Sequence, residues 1–134
     1  MTYYQQQIFS IFNENFPNVY LLKQVMQAKY YMDNNYSDNI TLEDICREAC
    51  FSKFHLIRSF KSIYGRTPNQ YLTSVRIQKA KELLKNGATV MEASLSVGFD
   101  STTTFTGLFK KQVGTSPSAF KKNCAPKKAI LKRF

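Results

Sequence analysis

The chain has no apolar run approaching the roughly 18 residues that a membrane span needs. Its opening, MTYYQQQIF, lacks a charged segment leading into an apolar one. A cytoplasmic protein without membrane contact is expected. Cysteine is scarce as well: three residues, an odd number without an export signal, argue for reduced thiols rather than a disulfide framework. His55 is the only histidine, and there is neither a Gly-rich phosphate loop nor a metal-binding motif, so no catalytic residue, metal or cofactor is expected. Acidic residues run short in one part of the chain. Residues 53–134 set 16 bases against Glu82, Glu92 and Asp100, a balance of +13, whereas residues 1–52 set three bases against six acids, −3. A field of that sign and size favours a polyanion, nucleic acid before anionic membrane. With 134 residues in all, the chain is one small globular body or two very small units, not a multidomain enzyme.

What is present is a repeat. FKSIYGRTPNQY, Phe60 to Tyr71, and FKKQVGTSPSAF, Phe109 to Phe120, fit one frame, FK-x-x-x-G-x-[ST]-P-x-x-[YF], at a spacing of 49 residues. The frame has a local meaning. A helix ends at a Gly able to take left-handed dihedrals, and Thr-Pro or Ser-Pro then supplies the N-cap and first-turn proline of the next helix. Two copies in register predict a duplicated structural unit.

Apolar residues recur at three-and-four spacing and nowhere alternate by two, which predicts an all-α chain. Ile8, Phe9, Phe12 and Phe16 share a face of a short N-terminal helix ended by Pro17. Leu22, Val25, Met26 and Tyr30 mark a helix over about 19–35. Thr41 caps LEDICREA, with Asp44 in a variant of the capping box. A helix then runs from Lys53 to Tyr64, and another over about 68–86 with Leu72, Val75, Ala80, Leu83 and Leu84 as its apolar stripe. VMEASLSV, a turn at GFDS and a helix from Thr102 to Val113 repeat the pattern. A brief helix follows Ser116-Pro117, and the basic tail is expected to fray. Cys50-Phe51 matches Gly98-Phe99 at an offset of 48, and Leu56 matches Phe105 at 49, so the second turn carries one extra residue. Short helix, tight turn, longer amphipathic helix is the helix-turn-helix pattern.

The first copy (Ser52, Leu56, Arg58, Phe60, Lys61, Gly65, Thr67, Pro68, Tyr71), the connecting motif (Arg76, Ala80, Leu83, Leu84) and the second copy (Gly98, Phe99, Phe105, Phe109, Lys110, Gly114, Ser116, Pro117) together resemble the AraC/XylS family of bacterial transcription regulators over about residues 20–123. The resemblance implies two homeodomain-like helix-turn-helix subdomains joined by a long linker helix, about seven helices plus a short N-terminal extension. The expected division is 1–18 extension, 19–67 first subdomain, 68–87 linker, 88–123 second subdomain and 124–134 basic tail. It also implies sequence-specific binding of double-stranded DNA, with two recognition helices in successive major grooves and one monomer sufficient. A linker of about 18 residues is roughly 27 Å long, comparable to the roughly 34 Å between equivalent grooves one turn apart.

On the first recognition helix, Leu56, Phe60 and Ile63 suit the core, leaving Lys53, Phe54, Ile57, Arg58 and Lys61 on another face. Arg58 is the expected bidentate reader of guanine, and Phe54 and Ile57 suit thymine methyls, with core packing as their competing reading. On the second, Phe105, Leu108 and Phe109 point inward, while Ser101, Thr102, Thr103, Thr106, Gly107 and Lys110 are left outside. Base contacts are expected from Thr102, Thr103 and Thr106. The family commonly has Arg where this chain has Gly107, so weaker discrimination is expected from the second head, at a helix cost of about 1 kcal/mol for the glycine. Phosphate contacts are expected from Lys53, Lys61, Arg66, Lys110 and Lys111, and from helix starts near Thr41, Thr67, Thr89 and Ser116.

Two rival readings are open at this stage. Cys46, Cys50 and His55 suggest zinc or a nucleophile, but a fourth ligand and an orienting carboxylate are lacking, and in the repeat Cys46 and Cys50 match the small residues Ser94 and Gly98. The other is an architectural or partner-binding module with mainly non-specific polyanion binding. The expectation is a stand-alone, nucleoid-associated regulator, set by its abundance or by a partner such as RNA polymerase. A fragment of a longer regulator is the alternative.

Overall fold

In the computed structural model, residues 2–7 and 19–131 are described, with side chains up to Cys124. The helix face expected over Ile8 to Phe16 lies outside them. After α1 at residues 3–7, the helices are α2 (Val19–Asn35), α3 (Leu42–Ala49), α4 (Lys53–Tyr64), α5 (Pro68–Lys85), α6 (Val90–Ser96), α7 (Thr102–Val113) and α8 (Pro117–Leu131). There is no strand among the described residues.

Helix boundaries follow the punctuation. Thr41 Oγ1 accepts from the Asp44 amide at 3.2 Å while the Asp44 carboxylate accepts from the Thr41 amide at 2.9 Å, completing the capping box. Thr67 and Gln70 form a second box in the same way. Helices α4 and α7 both stop at left-handed glycines, where the Gly65 and Gly114 amides donate to Lys61 and Lys110 carbonyls at 2.8 and 2.9 Å. Helix α8 runs on to Leu131, past the brief helix expected from the sequence. Lys, Ala and Leu are good helix formers and carry it through the basic run, although Pro126 removes one amide donor.

The chain packs as two units. The first takes residues up to Asn35 and Ile40–Leu72; the second takes Tyr36–Asn39 and residues from Thr73 onward. In the first, α2 packs against α3 and α4, burying Leu22, Val25, Ala28 and Met32 together with Ile45, Leu56 and Phe60. Tyr30, expected on the buried stripe of α2, stands 64% exposed instead, because Ala28 and Met32 take the inward positions. In the second, Phe99, Phe105, Phe109 and Phe120 stack in sequence with ring centres 5.3, 5.5 and 5.5 Å apart. Ile77, Ala80 and Leu84 of α5 close that core. Ile77 is the inward residue the stripe reading missed, and Val75 is only half-buried. Full burial of each large apolar side chain contributes about 1.5–3 kcal/mol, so the phenylalanine stack is a main stabiliser of the second unit, as the Leu22–Met32 face with Leu56 and Phe60 is of the first.

The short segment Tyr36–Asn39 joins the second unit although it lies between helices of the first. Arg76 holds it there, donating through Nε to the Tyr36 carbonyl at 2.7 Å and through Nη2 to the Asp38 carbonyl at 2.9 Å. Burial lowers the Arg76 pKa, and the Asp100 charge works against that shift. The guanidinium also lies 5.7 Å from the Phe99 ring centre.

Candidate nucleic-acid interface

Each unit carries a short helix, a tight turn and a longer helix, and the two turns are built alike. After α3, the Cys50 amide donates to Arg47 O and the Phe51 amide to Cys46 O; after α6, the Gly98 amide donates to Leu95 O and the Phe99 amide to Ser94 O. Both are Schellman ends, with Cys50 at φ 58° and Gly98 at φ 98°. The extra residue in the second turn is Asp100, which sets Ser101 to cap α7 by accepting from the Thr104 amide at 3.1 Å. In the first unit Gln24 donates from its amide to the Cys50 carbonyl at 2.7 Å, fixing the turn to α2.

Helix α4 turns Leu56, Ser59 and Phe60 inward. Its opposite face is open. Phe54 stands 80% exposed, so the core reading of that residue does not hold, while Arg58 and Lys61 are exposed and Ile57 is half-buried. Lys53 is exposed but not free: its ammonium lies 2.9 Å from the Glu43 carboxylate. Each partner favours the other's charged form, the hydrogen bond lowering the Glu43 pKa and raising that of Lys53. A phosphate must compete with Glu43 for Lys53, a restraint the sequence reading missed because it arises across the turn. None of the three ion pairs among the described residues involves Arg58, Lys61, Arg66, Lys110 or Lys111.

Helix α7 buries Phe105 and Phe109, with Leu108 half-buried against them. Thr103 is exposed, whereas Thr102 and Thr106 are half-buried, and the Thr102 hydroxyl sits 3.5 Å from the Ser94 hydroxyl. Gly107 is exposed, and a Cβ built on it meets nothing within 4 Å. Thr104, exposed beside Thr103, accepts from the Ser101 hydroxyl at 3.3 Å and adds a polar group absent from the sequence reading. Lys110 and Lys111 are exposed in the last turn.

The helix starts considered for phosphate are all partly used. Thr41, Thr67, Thr89 and Ser116 each accept from the amide three residues on. Their remaining first-turn amides are the donors left for an anion. Ser52, before α4, makes no such side-chain bond.

Among the described residues no group of three His, Cys, Asp or Glu side chains could hold a metal ion. Burial pushes the Cys46 thiol up, away from the thiolate a nucleophile needs. Cys50 lies in the turn, past the end of α3, and His55 is exposed with its ring against Phe51 at 5.1 Å.

Comparison with known proteins gives a consistent picture. A helix-turn-helix domain family matches residues 45–123. The chain is 38% identical over 76 residues to the uncharacterized HTH-type transcriptional regulator YbfI of Bacillus subtilis, covering 57% of this chain and 28% of that protein. It spans 45% and 58% of the length of two further curated relatives. A probable AraC family transcriptional regulator from Rhodopseudomonas palustris superposes with a TM-score of 0.69 at 28% identity, covering 76% of this chain and 97% of that one. The DNA-binding domain of AdpA, a global transcriptional factor solved in complex with a target DNA, superposes with a TM-score of 0.73 at 25% identity, covering 77% and 94%.

Proposed function

The chain belongs to the AraC/XylS-type family of helix-turn-helix, DNA-binding transcription regulators, and from that premise we propose that it reads double-stranded DNA in a sequence-specific way with α4 and α7 in successive major grooves. The observation that carries this reading is the open face of α4: a helix that buries Leu56, Ser59 and Phe60 on one side keeps an aromatic ring, Phe54, 80% in solvent near an exposed Arg58 that forms no ion pair among the described residues. A large exposed apolar side chain flanked by a cation suits a base edge, the ring against a thymine methyl and the guanidinium on guanine O6 and N7. Ile57 adds an apolar contact. Thr102, Thr103 and Thr106 supply base contacts from α7, with Thr103 the most accessible of them. Lys61, Arg66, Lys110 and Lys111 take phosphates, and Lys53 joins them when it leaves Glu43.

The sequence division enters this proposal, with 19–67 and 88–123 as reading heads and 68–87 as linker, although Tyr36–Asn39 pack with the second unit. The 18 residues of α5 give about 27 Å of helix, suited to heads about one turn apart on DNA. A monomer then suffices, working in the cytoplasm at the nucleoid as a non-enzymatic regulator that contacts RNA polymerase. No helix among the described residues is long and apolar enough to cross a membrane.

The test is selection of preferred sequences from a random duplex library at near-physiological salt, with wild type and Arg58→Ala in parallel. Two half-sites about a turn apart are expected. The variant loses about 1–3 kcal/mol of discrimination at one guanine of the first. If no motif emerges and binding falls uniformly with salt, the chain is a non-specific architectural or partner-binding module instead.

A further inference from the structure

Helices α1, α2 and α4 of the first unit leave an open cavity of about 320 Å³, within the roughly 300–1,000 Å³ typical of small-molecule sites. Its walls include the rings of Tyr4, Tyr30 and Tyr64 and the thioether of Met26, and Lys29 and Asp33 supply its charge. Thr2 and Gln5, which line it at the start of α1, close that helix's first turn in a capping box, each accepting from the other's amide at 3.2 and 3.1 Å.

The charged groups are unequal in what they still offer. Asp33 accepts from Lys29 on one oxygen at 2.9 Å and from the Tyr71 hydroxyl on the other. An ammonium carries three donors; Lys29, kept charged by Asp33, engages both Asp33 and the Tyr71 hydroxyl, which leaves one donor, so a ligand carboxylate competes with Asp33 for this cation as a phosphate competes with Glu43 for Lys53. A ligand carboxylate therefore finds a cation, and a flat apolar body finds three rings and a thioether. Tyr64 is the last residue of α4 and packs its ring 4.8 Å from that of the buried Phe60, so an occupant touches the recognition helix directly.

We infer that this cavity is a binding site for a small aromatic carboxylate whose occupancy is felt at the C-terminal end of α4. Calling that ligand an effector rests on the regulator reading above; the binding itself does not.

The whole chain is titrated with 2-naphthoate, and with 2-naphthalenemethanol as its neutral counterpart, by calorimetry and by amide NMR shifts. Saturable one-to-one binding of the acid is expected, at least tenfold tighter than that of the alcohol, with shifts at Tyr64 and Gly65. Tyr30→Ala, at an exposed position, weakens binding at least tenfold without moving the melting temperature, and Lys29→Met removes the preference for the acid. The inference is overturned by any of four results: no saturation at millimolar acid, equal affinity for the alcohol, binding that both variants leave intact, or no response at the end of α4. Because no DNA is present, failure of this site and failure of the DNA reading are distinguishable.

Discussion

The two helix-turn-helix units make the same bend under different constraints. In the first, a side chain is tolerated at the left-handed turn position, and the residue there is Cys50 at φ 58°. In the second the position is Gly98 at φ 98°, where an added Cβ would sit 2.8 Å from the Tyr36 carbonyl oxygen and 3.1 Å from that of Ser37. The hydrogen-bond pattern of the turn is shared; the demand for glycine comes from the larger positive φ of Gly98 and from the segment packed on it. The exposed faces of the longer helices differ too. Helix α4 offers a ring and a guanidinium, α7 hydroxyls and a bare stretch of backbone at Gly107. A duplicated frame can thus keep its geometry while its two exposed helix faces carry different chemistry.

The largest expected effect falls on the turn. Gly98→Ala should destabilise the second unit by at least about 2 kcal/mol, combining backbone strain with a clash against fixed carbonyls. Cys50→Ala should stay within about 0.5 kcal/mol. Urea unfolding of the two variants measures the contrast, and equal effects would mean the turns are constrained alike. Next comes the bare backbone. Gly107→Arg has open space around its Cβ, recovers about 1 kcal/mol of helix propensity, and should add about 1–3 kcal/mol of guanine discrimination at the second half-site. Library selection would show whether the heads become equal; an unchanged motif would mean α7 does not face bases at that position. The smallest effect belongs to the turn-spanning ion pair. Glu43→Gln releases Lys53, which should tighten DNA binding modestly and steepen its salt dependence by up to about one counterion. A salt titration in which the two slopes coincide would remove Lys53 from the phosphate contacts.

Helix boundaries were legible because their causes are local. The Thr41 box, the Gly65 and Gly114 stops and the Pro68 and Pro117 starts each act within four residues. The Thr67–Gln70 box was equally readable, since its spacing matches the [ST]-x-x-[EQ] pattern. What escaped depends on partners distant in the chain. Whether Val75 or Ile77 faces inward is decided by the second unit's aromatic stack, and the membership of Tyr36–Asn39 is decided by Arg76, some 40 residues away. Of the candidate site, the inward residues of α4 and α7 fell where periodicity put them, because burial imposes that period. The Glu43–Lys53 pair did not show itself, since it joins two helices across a turn.

The path of Tyr36–Asn39 also limits how this protein can be divided. A gene fragment encoding Thr73 onward would carry the second unit's helices but not the segment Tyr36–Asn39, in which the Tyr36 and Asp38 carbonyls receive the Arg76 guanidinium and the Tyr36 and Ser37 carbonyls fill the space beside Gly98. Its complement, ending at Leu72, would keep those four residues with nothing to hold them. The repeat is plain in the written sequence, yet no single cut returns two whole halves: one strap of chain makes the duplicated units a single inheritance.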